Sequence, residues 1–366
     1  MKKIDIEYVC FLNQSGYGMA AQNYLLALNS SNRYNIKLKV IGDKPARLSM
    51  SEERYGKFLP MMNRNRNTDA IMIYHCIPTI QRRVKKNKKN IGFSVYETFE
   101  PPNNWINILN SNDALMVPSD FNYRIFAHST IQKPIYKIPH CLDFNIYNKD
   151  VEPSKKFDKF TFLFLGTFKE RKGYKQLIEA WLREFSIKDN VQLLIKTDKI
   201  KKIQIYVEKI RKQLGITKGF APILFESEVI DEIRLSKFIK SCDCFILPTM
   251  GEGFNIPGLQ CMSLEVPVII TDFSGCKEYA NEKTATLIPH RGFVSHRQMD
   301  GIPQFKNKKW AFISVDDIRK SMRYAIENVD GIKEKASVGY DYVKDNFNYE
   351  KIEFKFYQML KELYNV

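Results

Sequence analysis

Residues 244–278 read CFILPTMGEGFNIPGLQCMSLEVPVIITDFSGCKE, and the order of apolar runs, proline and glycine in this stretch indicates the fold class. The apolar run 244–247 predicts a short buried strand, and the run 267–271 predicts a second one. Between them, Pro257 fixes the φ angle of a first helical turn, so residues 258–264 are expected to form a helix. A strand, a helix and a strand in this order are typical of a parallel sheet in an α/β protein.

The loop after the first of these strands is predicted to bind a ligand. In open α/β sheets, ligands lie beyond the carboxyl ends of the parallel strands. Helix N-termini aim backbone N–H groups at this edge of the sheet and favour an anion there. Glycines 251 and 253 let a ligand approach the backbone closely, and Glu252 between them can accept hydrogen bonds.

Residues 252–257, EGFNIP, resemble the motif of retaining, nucleotide-sugar-dependent glycosyltransferases of the two-domain GT-B fold, in particular those of family 4. The family pattern is Glu-Gly-Phe-Gly-Leu-Pro, with a second Glu eight residues after the first. The resemblance implies that Glu252 contacts the donor sugar during catalysis. It also implies a set of contacts with the nucleotide sugar: Gly253, Phe254, Asn255, Ile256 and Gln260. A plain parallel-sheet crossover with a Glu in a loop is the alternative.

The sequence departs from the family pattern at three positions. Asn255 and Glu265 each replace a usual Gly, and Gln260 stands where the family has its second Glu. In the family that second Glu holds the ribose hydroxyls. A glutamine can donate and accept hydrogen bonds but carries no charge, so ribose binding is expected to be weaker or altered.

A second segment, residues 166–172, follows a predicted strand at 161–165 and precedes an amphipathic helix at 173–185. Its end, Lys172-Gly173, resembles the phosphate site of the same family, which implies that Lys172 contacts the donor diphosphate and stabilises the charge of the leaving group. Thr167 stands where the family usually has an Arg. The missing positive charge could come from Arg171 or Lys169 instead. A lysine that merely begins a helix is the alternative.

The first part of the chain also begins like a Rossmann-type domain, with a predicted strand at 4–12, a loop at 13–19 and a helix at 20–28. The resemblance places Gly16 and Gly18 of this loop near the donor phosphates or the acceptor. A tight turn that binds nothing is the alternative.

His75 follows the predicted strand 70–74, and the resemblance makes it a catalytic residue near the donor sugar and the acceptor. A hydrogen-bonded residue at the rim is the alternative.

The remaining pattern suggests where the two domains divide. Predicted strands at 91–95, 114–118 and 135–138 complete a first domain, and Glu97 in the loop after 95 is either an acceptor contact or a residue that fixes the loop. The predicted boundaries are 1–147 with the C-terminal helix 348–366 for the acceptor domain and 148–347 for the donor domain. Residues 290–307 lack periodicity and are expected to form a surface loop.

Composition and charge limit the location and the partners. The longest apolar runs are too short to span a bilayer, and charges follow Met1 closely, so the sequence predicts a cytoplasmic protein. The net charge is +16, and residues 81–90 hold the densest basic run. Three interpretations of this run are open. It is a solvated helix face, a patch that binds anionic lipid on the inner face of a membrane, or a patch that binds nucleic acid. The last is disfavoured because no aromatic side chains interleave with the lysines.

The seven cysteines indicate a reducing compartment, because they lie in or beside apolar stretches and form no Cys-x-x-Cys pair. A metal site at Cys242 and Cys244 is the alternative, although their spacing does not suit zinc. No Asp-x-Asp ends a predicted strand. The leaving diphosphate is therefore expected to be neutralised by cationic side chains and helix N-termini, without a metal.

Taken together, these patterns predict an α/β protein of the GT-B fold, with two Rossmann-like domains facing each other across a cleft. By resemblance, it is a retaining, metal-independent hexosyltransferase of glycan biosynthesis. It would use a UDP- or GDP-sugar as donor and a glycan, lipid-linked glycan or protein-linked sugar as acceptor, without a cofactor and without nucleic acid. A non-catalytic nucleotide-sugar-binding homologue and a GT-B sugar-nucleotide epimerase are the alternatives. No carboxylate pair suggests a glycoside hydrolase.

Overall fold

The computed structural model describes residues 3–42, 50–83, 89–216 and 218–366, and the side chains of residues 82 and 83 are not included. The chain divides into two compact units. Unit 1 contains residues 1–144, 230–232 and 344–366, and unit 2 contains residues 145–229 and 233–343. Residues 84–88, which hold three of the six basic residues of the run noted above, lie outside the described part of the chain.

Unit 1 is built on a parallel sheet whose described strands run in the order β2-β1-β3-β4-β5-β6. Strands β1, β3, β4 and β5 are almost wholly buried, as expected where helices cover both faces of a parallel sheet. The elements in chain order are β1 (Ile4–Cys10), α1 (Gly16–Ser30), β2 (Tyr34–Val40), α2 (Glu52–Asn63), β3 (Ile71–His75), β4 (Asn90–Phe93), α3 (Asn103–Leu109), β5 (Ala114–Val117), α4 (Asp120–Ala127) and β6 (Ile135–Lys137).

Unit 2 contains a second parallel sheet, in the order β12-β11-β10-β7-β8-β9 among its described strands, and a separate antiparallel hairpin. The elements are β7 (Phe160–Leu165), α5 (Tyr174–Glu184), β8 (Val191–Lys196), α6 (Ile200–Gln213), β9 (Ile223–Glu226), α7 (Glu232–Lys240), β10 (Cys244–Leu247), α8 (Ile256–Ser263), β11 (Val268–Thr271), β12 (Thr286–Ile288), β13 (His290–Gln298), β14 (Lys306–Ile313), α9 (Val315–Glu327) and α10 (Val329–Asn346). The prediction of two parallel-sheet α/β domains is confirmed.

The final helix, α11 (Tyr349–Tyr364), packs on α1 within unit 1. Glu353 is almost fully buried and accepts a hydrogen bond from Arg33 over 2.6 Å. The Tyr349 hydroxyl donates to the side-chain oxygen of Asn23 over 3.1 Å. The end of the chain is therefore fixed to the start of the chain by polar contacts as well as by an apolar face.

Residues 290–307 do not form the expected surface loop. They lie mostly in the hairpin of β13 and β14, which pair in antiparallel register. Met299 and Trp310 are fully buried, and the backbone N–H of Ala311 donates to the carbonyl of Met250 over 3.1 Å. The apolar anchors of this hairpin are few and stand among lysines and arginines, so no two-residue periodicity marks the strands in the sequence.

The predicted loop at 13–19 is also shorter than expected, because α1 already begins at Gly16. Ser15 caps the helix by accepting a hydrogen bond from the N–H of Gly18 over 3.1 Å. Gly18 is buried against Asn13, and a Cβ atom added to it would lie 2.3 Å from the Asn13 carbonyl oxygen. The small size of Gly18 therefore has a packing reason that is independent of any ligand.

We expect Gly18→Ala to lower the free energy of unfolding by about 1–3 kcal/mol, because the new methyl group overlaps backbone atoms that cannot move independently. Gly16→Ala is the matched control on the same helical turn, since Gly16 is exposed and its added Cβ would meet no atom within 4 Å. Thermal unfolding of both variants would measure the difference. Equal midpoints would show that the Gly18 contact does not constrain the fold.

Candidate active site

Two loops of unit 2 meet at a buried ion pair. The Lys172 ammonium lies 2.6 Å from the Glu252 Oε1 atom, and both side chains are almost fully buried. Lys172 ends the connection after β7, and Glu252 lies in the connection after β10. Because β7 and β10 are adjacent parallel strands, their carboxyl ends bring these connections together.

The backbone around Lys172 allows no alternative to glycine at the next position. Residues 170–172 form a single turn of 3₁₀ helix, and Gly173 follows with φ +72°. A Cβ atom on Gly173 would lie 1.9 Å from the carbonyl oxygen of Pro248. The Lys-Gly pair thus lets the loop after β7 pack directly on the loop after β10, which places the lysine beside Glu252.

Arg171 is the second cation on Glu252. Its Nη1 atom lies 3.1 Å from Glu252 Oε2, and it also donates to the carbonyl of Gly251 over 3.1 Å. The Thr249 hydroxyl lies 3.1 Å from Glu252 Oε1. Of the two residues proposed to replace the positive charge missing at Thr167, the structure therefore brings Arg171 to the carboxylate.

The backbone of Glu252 is fixed as firmly as its side chain. Its N–H donates to the Ser274 hydroxyl, and its carbonyl accepts from the N–H of Gly275, each over 2.9 Å. Burial alone raises the pKa of this carboxyl group. The charges of Lys172 and Arg171 and their hydrogen bonds outweigh burial, and the pKa of Glu252 is lowered below its ordinary value. Glu252 is therefore an ionised carboxylate at neutral pH.

Two of the three departures from the family pattern have a backbone explanation. Asn255 has φ +74° and Glu265 has φ +55°, both in the left-handed region that favours glycine. Asn255 also serves as the N-cap of α8, where its side chain accepts a hydrogen bond from Gly258 over 3.4 Å. Asparagine tolerates this conformation better than most residues, whereas Glu265 has no such local advantage.

The third departure, Gln260, is buried on α8. Its Nε2 atom donates to the Tyr147 hydroxyl over 2.9 Å. Its Oε1 atom is buried and has no hydrogen-bond partner among the described residues. A buried acceptor without a partner costs free energy, so this oxygen is suited to a ligand hydroxyl.

The other residues that were predicted to contact the nucleotide sugar differ in their burial. Gly253, Phe254 and Ile256 are buried around Glu252, and the Phe254 ring packs on Tyr279 with 5.5 Å between ring centroids. Thr167 is exposed on its loop. Whether these residues contact a nucleotide stays a prediction.

In unit 1, His75 differs from the expected open position at the end of its strand. Its ring is fully buried, and its Nδ1 atom lies 2.8 Å from the Tyr8 hydroxyl. The centroid of its ring lies 3.9 Å from that of the tilted Phe93 ring. Burial, with a smaller effect of His140, lowers its pKa well below the ordinary value, so the imidazole is neutral. His75 therefore lies in an aromatic core, and its catalytic role stays a prediction, as does the ligand role of Gly16, Gly18 and the half-buried Glu97.

Asp300 is a site residue that the sequence analysis missed. It lies in the connection between β13 and β14, and its side chain is fully buried beside Arg171. Its Oδ1 accepts from the backbone N–H of Arg171, and its Oδ2 lies 3.3 Å from the Arg171 Nε atom. The Asp300-Gly301 pair is a common hairpin-turn signal and could have indicated the hairpin, though not the contact.

Residues 159–295 match the family model of Glycosyl transferases group 1. The matched segment contains both Lys172 and Glu252. Over this segment, unit 2 is similar to the group 1 glycosyltransferases. The E. coli serotype-specific mannosyltransferase WbdA is 27% identical over 122 residues, which cover 33% of this chain and only 14% of WbdA. The uncharacterized glycosyltransferase MJ1059 of Methanocaldococcus jannaschii is 30% identical over 122 residues, covering 31% of this chain and 26% of that protein.

Solved structures extend the likeness to the whole chain. A glycosyltransferase from Rickettsia africae superposes with a TM-score of 0.72 at 14% identity, covering 99% of both chains. Anabaena Alr3699/HepE in complex with UDP and glucose gives a TM-score of 0.70 at 12% identity, covering 98% of this chain and 100% of that one. These matches confirm the GT-B fold of the chain.

The structure also bears on disulfides, metal sites and membrane spans. All seven cysteines, Cys242 and Cys244 among them, are buried as free thiols. Over the part of the chain that the structure describes, no group of three or more His, Cys, Asp or Glu side chains is placed to hold a metal ion. In the same part, none of the helices has the length and apolar character needed to cross a membrane.

The stability difference between wild type and Glu252→Gln should depend on pH. The lowered pKa of Glu252 means that its ionised form stabilises the fold above that pKa, and this contribution is lost as pH falls through it. We therefore expect the difference in unfolding midpoint to be largest near neutral pH and to shrink as the solution is acidified through the lowered pKa of Glu252. Exposed Glu282 provides the control, Glu282→Gln, whose difference should stay small throughout. A difference for Glu252→Gln that grows on acidification would contradict the ionised state.

Proposed function

We propose that the chain transfers a sugar from a nucleoside diphosphate to an acceptor hydroxyl, with the donor bound by unit 2. The observation that carries this proposal is the buried contact of Lys172 and Arg171 with Glu252, at the carboxyl ends of β7 and β10. Buried ion pairs contribute little net stability, so a cluster of this kind suggests a role in binding. It combines cations for a diphosphate with a carboxylate for sugar hydroxyls.

In this proposal Lys172 exchanges partners when the donor binds. Its ammonium leaves Glu252 for the diphosphate, and sugar hydroxyls take its place on the carboxylate. The bond between the anomeric carbon and the phosphate oxygen then breaks, and the negative charge that develops on the leaving diphosphate is stabilised by Lys172. The acceptor oxygen bonds to the anomeric carbon, and its proton passes to the leaving phosphate oxygen.

Retention at the anomeric carbon, metal independence and a catalytic role of His75 belong to this proposal and are inferred from family resemblance. UDP is the first donor nucleotide to test, because Anabaena HepE is described in complex with UDP and glucose and has the same fold. A GDP-sugar is the second. The unpartnered Oε1 of Gln260 supports contact with a donor hydroxyl such as that of the ribose. A glycan or a glycan linked to lipid or protein is the proposed acceptor.

Donor turnover tests the proposal directly. We expect purified protein to release UDP or GDP from a UDP- or GDP-sugar, and Lys172→Ala or Glu252→Ala to reduce kcat about 100-fold. Lys175→Ala is the matched control, because this lysine lies one turn away and pairs with Glu170 instead. Coupled detection of the released diphosphate gives the rate.

The products separate the alternatives. Binding of a nucleotide sugar without release of the nucleotide from any UDP-, GDP- or ADP-sugar would favour a non-catalytic binding protein. An epimerised sugar recovered without an acceptor would favour an epimerase. Anomeric configuration in the isolated product decides between retention and inversion.

Peripheral membrane contact stays a prediction from the basic run at 81–90, and three of its six basic residues lie outside the described residues. Cosedimentation with liposomes that contain anionic lipid is expected, and it should weaken as salt rises. Replacing Lys85, Lys86, Lys88 and Lys89 together with glutamine should abolish it. Unchanged cosedimentation of that variant would remove this idea.

A further inference from the structure

The carboxylate of Asp300 holds Arg171 from the side opposite to Glu252. Arg171 uses its Nη1 atom for Glu252 and for the Gly251 carbonyl. Its backbone N–H donates to Asp300 Oδ1, and its Nε atom lies 3.3 Å from Asp300 Oδ2 as an ion pair without hydrogen-bond geometry. The Asp300 side chain is fully buried, and that of Arg171 is 14% exposed. The guanidinium group therefore bridges two carboxylates and has little freedom to turn toward a third anion.

The hairpin that carries Asp300 is tied to the same loops. The Ala311 N–H donates to the Met250 carbonyl, and the Met250 N–H donates to the Arg171 carbonyl over 2.7 Å. Met299, which precedes Asp300, is fully buried. Asp300 itself has φ +56°, a conformation that aspartate adopts more readily than most residues, and it is held there by this packing.

The charges of the cluster balance. Two basic side chains, Arg171 and Lys172, face two acidic side chains, Glu252 and Asp300. Lys172 contacts only Glu252 among these carboxylates, through a single ammonium at the end of a flexible stem. Arg171 contacts both. Of the two cations, Lys172 is therefore the one that can change partners without disrupting the loop structure.

We propose that Asp300 is a positioning residue that reserves Arg171 for Glu252 and so leaves Lys172 as the cation that meets the donor diphosphate. This inference rests on the proposed function, because it assigns separate tasks to two cations of the same site. Arg171 keeps Glu252 ionised and oriented toward the sugar after Lys172 has moved. This role explains why the buried carboxylate of Asp300 lies beside Arg171. If Arg171 only bound phosphate, no carboxylate would be needed there.

The division of tasks predicts different effects on the nucleotide and on the sugar. In Asp300→Ala, Arg171 loses its second anchor and Glu252 loses its fixed orientation. We expect the Kd for UDP to stay within about twofold, whereas the Kd for UDP-glucose rises about tenfold, as for the loss of one hydrogen bond to a charged group. In Lys172→Ala, the affinity for UDP and for UDP-glucose should fall together.

Isothermal titration of wild type and variants with UDP and UDP-glucose, or with GDP and GDP-mannose if only GDP binds, measures this split. Asp300→Asn keeps the shape of the side chain and is expected to lie between wild type and Asp300→Ala, which guards against a variant that does not fold. Gln298→Ala, at an exposed position of the same hairpin, is the control and should match wild type. Thermal midpoints report any general loss of stability, which would affect both ligands equally.

The outcomes are distinct. A selective loss of sugar-nucleotide affinity in Asp300→Ala supports the inference, even if wild type shows no turnover and the proposed reaction fails. Equal loss for UDP and UDP-glucose, or no change in either, overturns it. Tighter UDP binding together with weaker UDP-glucose binding in Asp300→Ala also supports it, because Arg171, once released by the loss of Asp300, would then contact the phosphate. No binding of any nucleotide to wild type overturns both the inference and the proposed function.

Discussion

The structure of unit 2 depends on a carboxylate that is charged and buried at the same time. Removing Glu252 from water is unfavourable unless cations and hydrogen-bond donors replace the water. Lys172, Arg171 and the Thr249 hydroxyl do so at its side chain, and Ser274 fixes its backbone. The loops after β7, β10 and β11 are therefore fixed to one another by the requirements of a single charged group.

The sheet topology explains why these loops can meet at all. Adjacent parallel strands end at the same edge, so residues about 80 positions apart in the chain, such as Lys172 and Glu252, become neighbours. A Cβ atom at Gly173 would overlap the Pro248 carbonyl oxygen, so glycine at this position lets the two loops pack closely. The match to the group 1 glycosyltransferase family model covers this arrangement and not the whole chain.

In unit 1, the position of His75 at the end of a strand follows from the sequence, but the residues that surround its ring do not. His75 follows its strand as the pattern requires, yet its ring is enclosed by Tyr8, Tyr24 and Phe93. The sequence pattern predicts a residue near the donor sugar and the acceptor, or a hydrogen-bonded residue at the rim. In the structure the surrounding aromatic residues bury the ring, and burial keeps the imidazole neutral. The residues that enclose it come from three separate elements, so no local pattern foretells its burial.

Local sequence patterns were enough to predict the two parallel-sheet domains, and the resemblance of the sequence to a glycosyltransferase family pointed to Lys172 and Glu252. These features follow from apolar runs, proline and glycine positions and fixed spacing, all of which are local. The sequence also located the departures at Asn255 and Glu265, but only the backbone angles explained them. Tertiary structure alone decided the partner of Gln260, the burial of His75 and the place of Asp300. Asp300 reaches Arg171 from 129 positions along the chain through a hairpin held by a few buried apolar residues. Such a contact depends on how distant segments pack, and periodicity does not encode it.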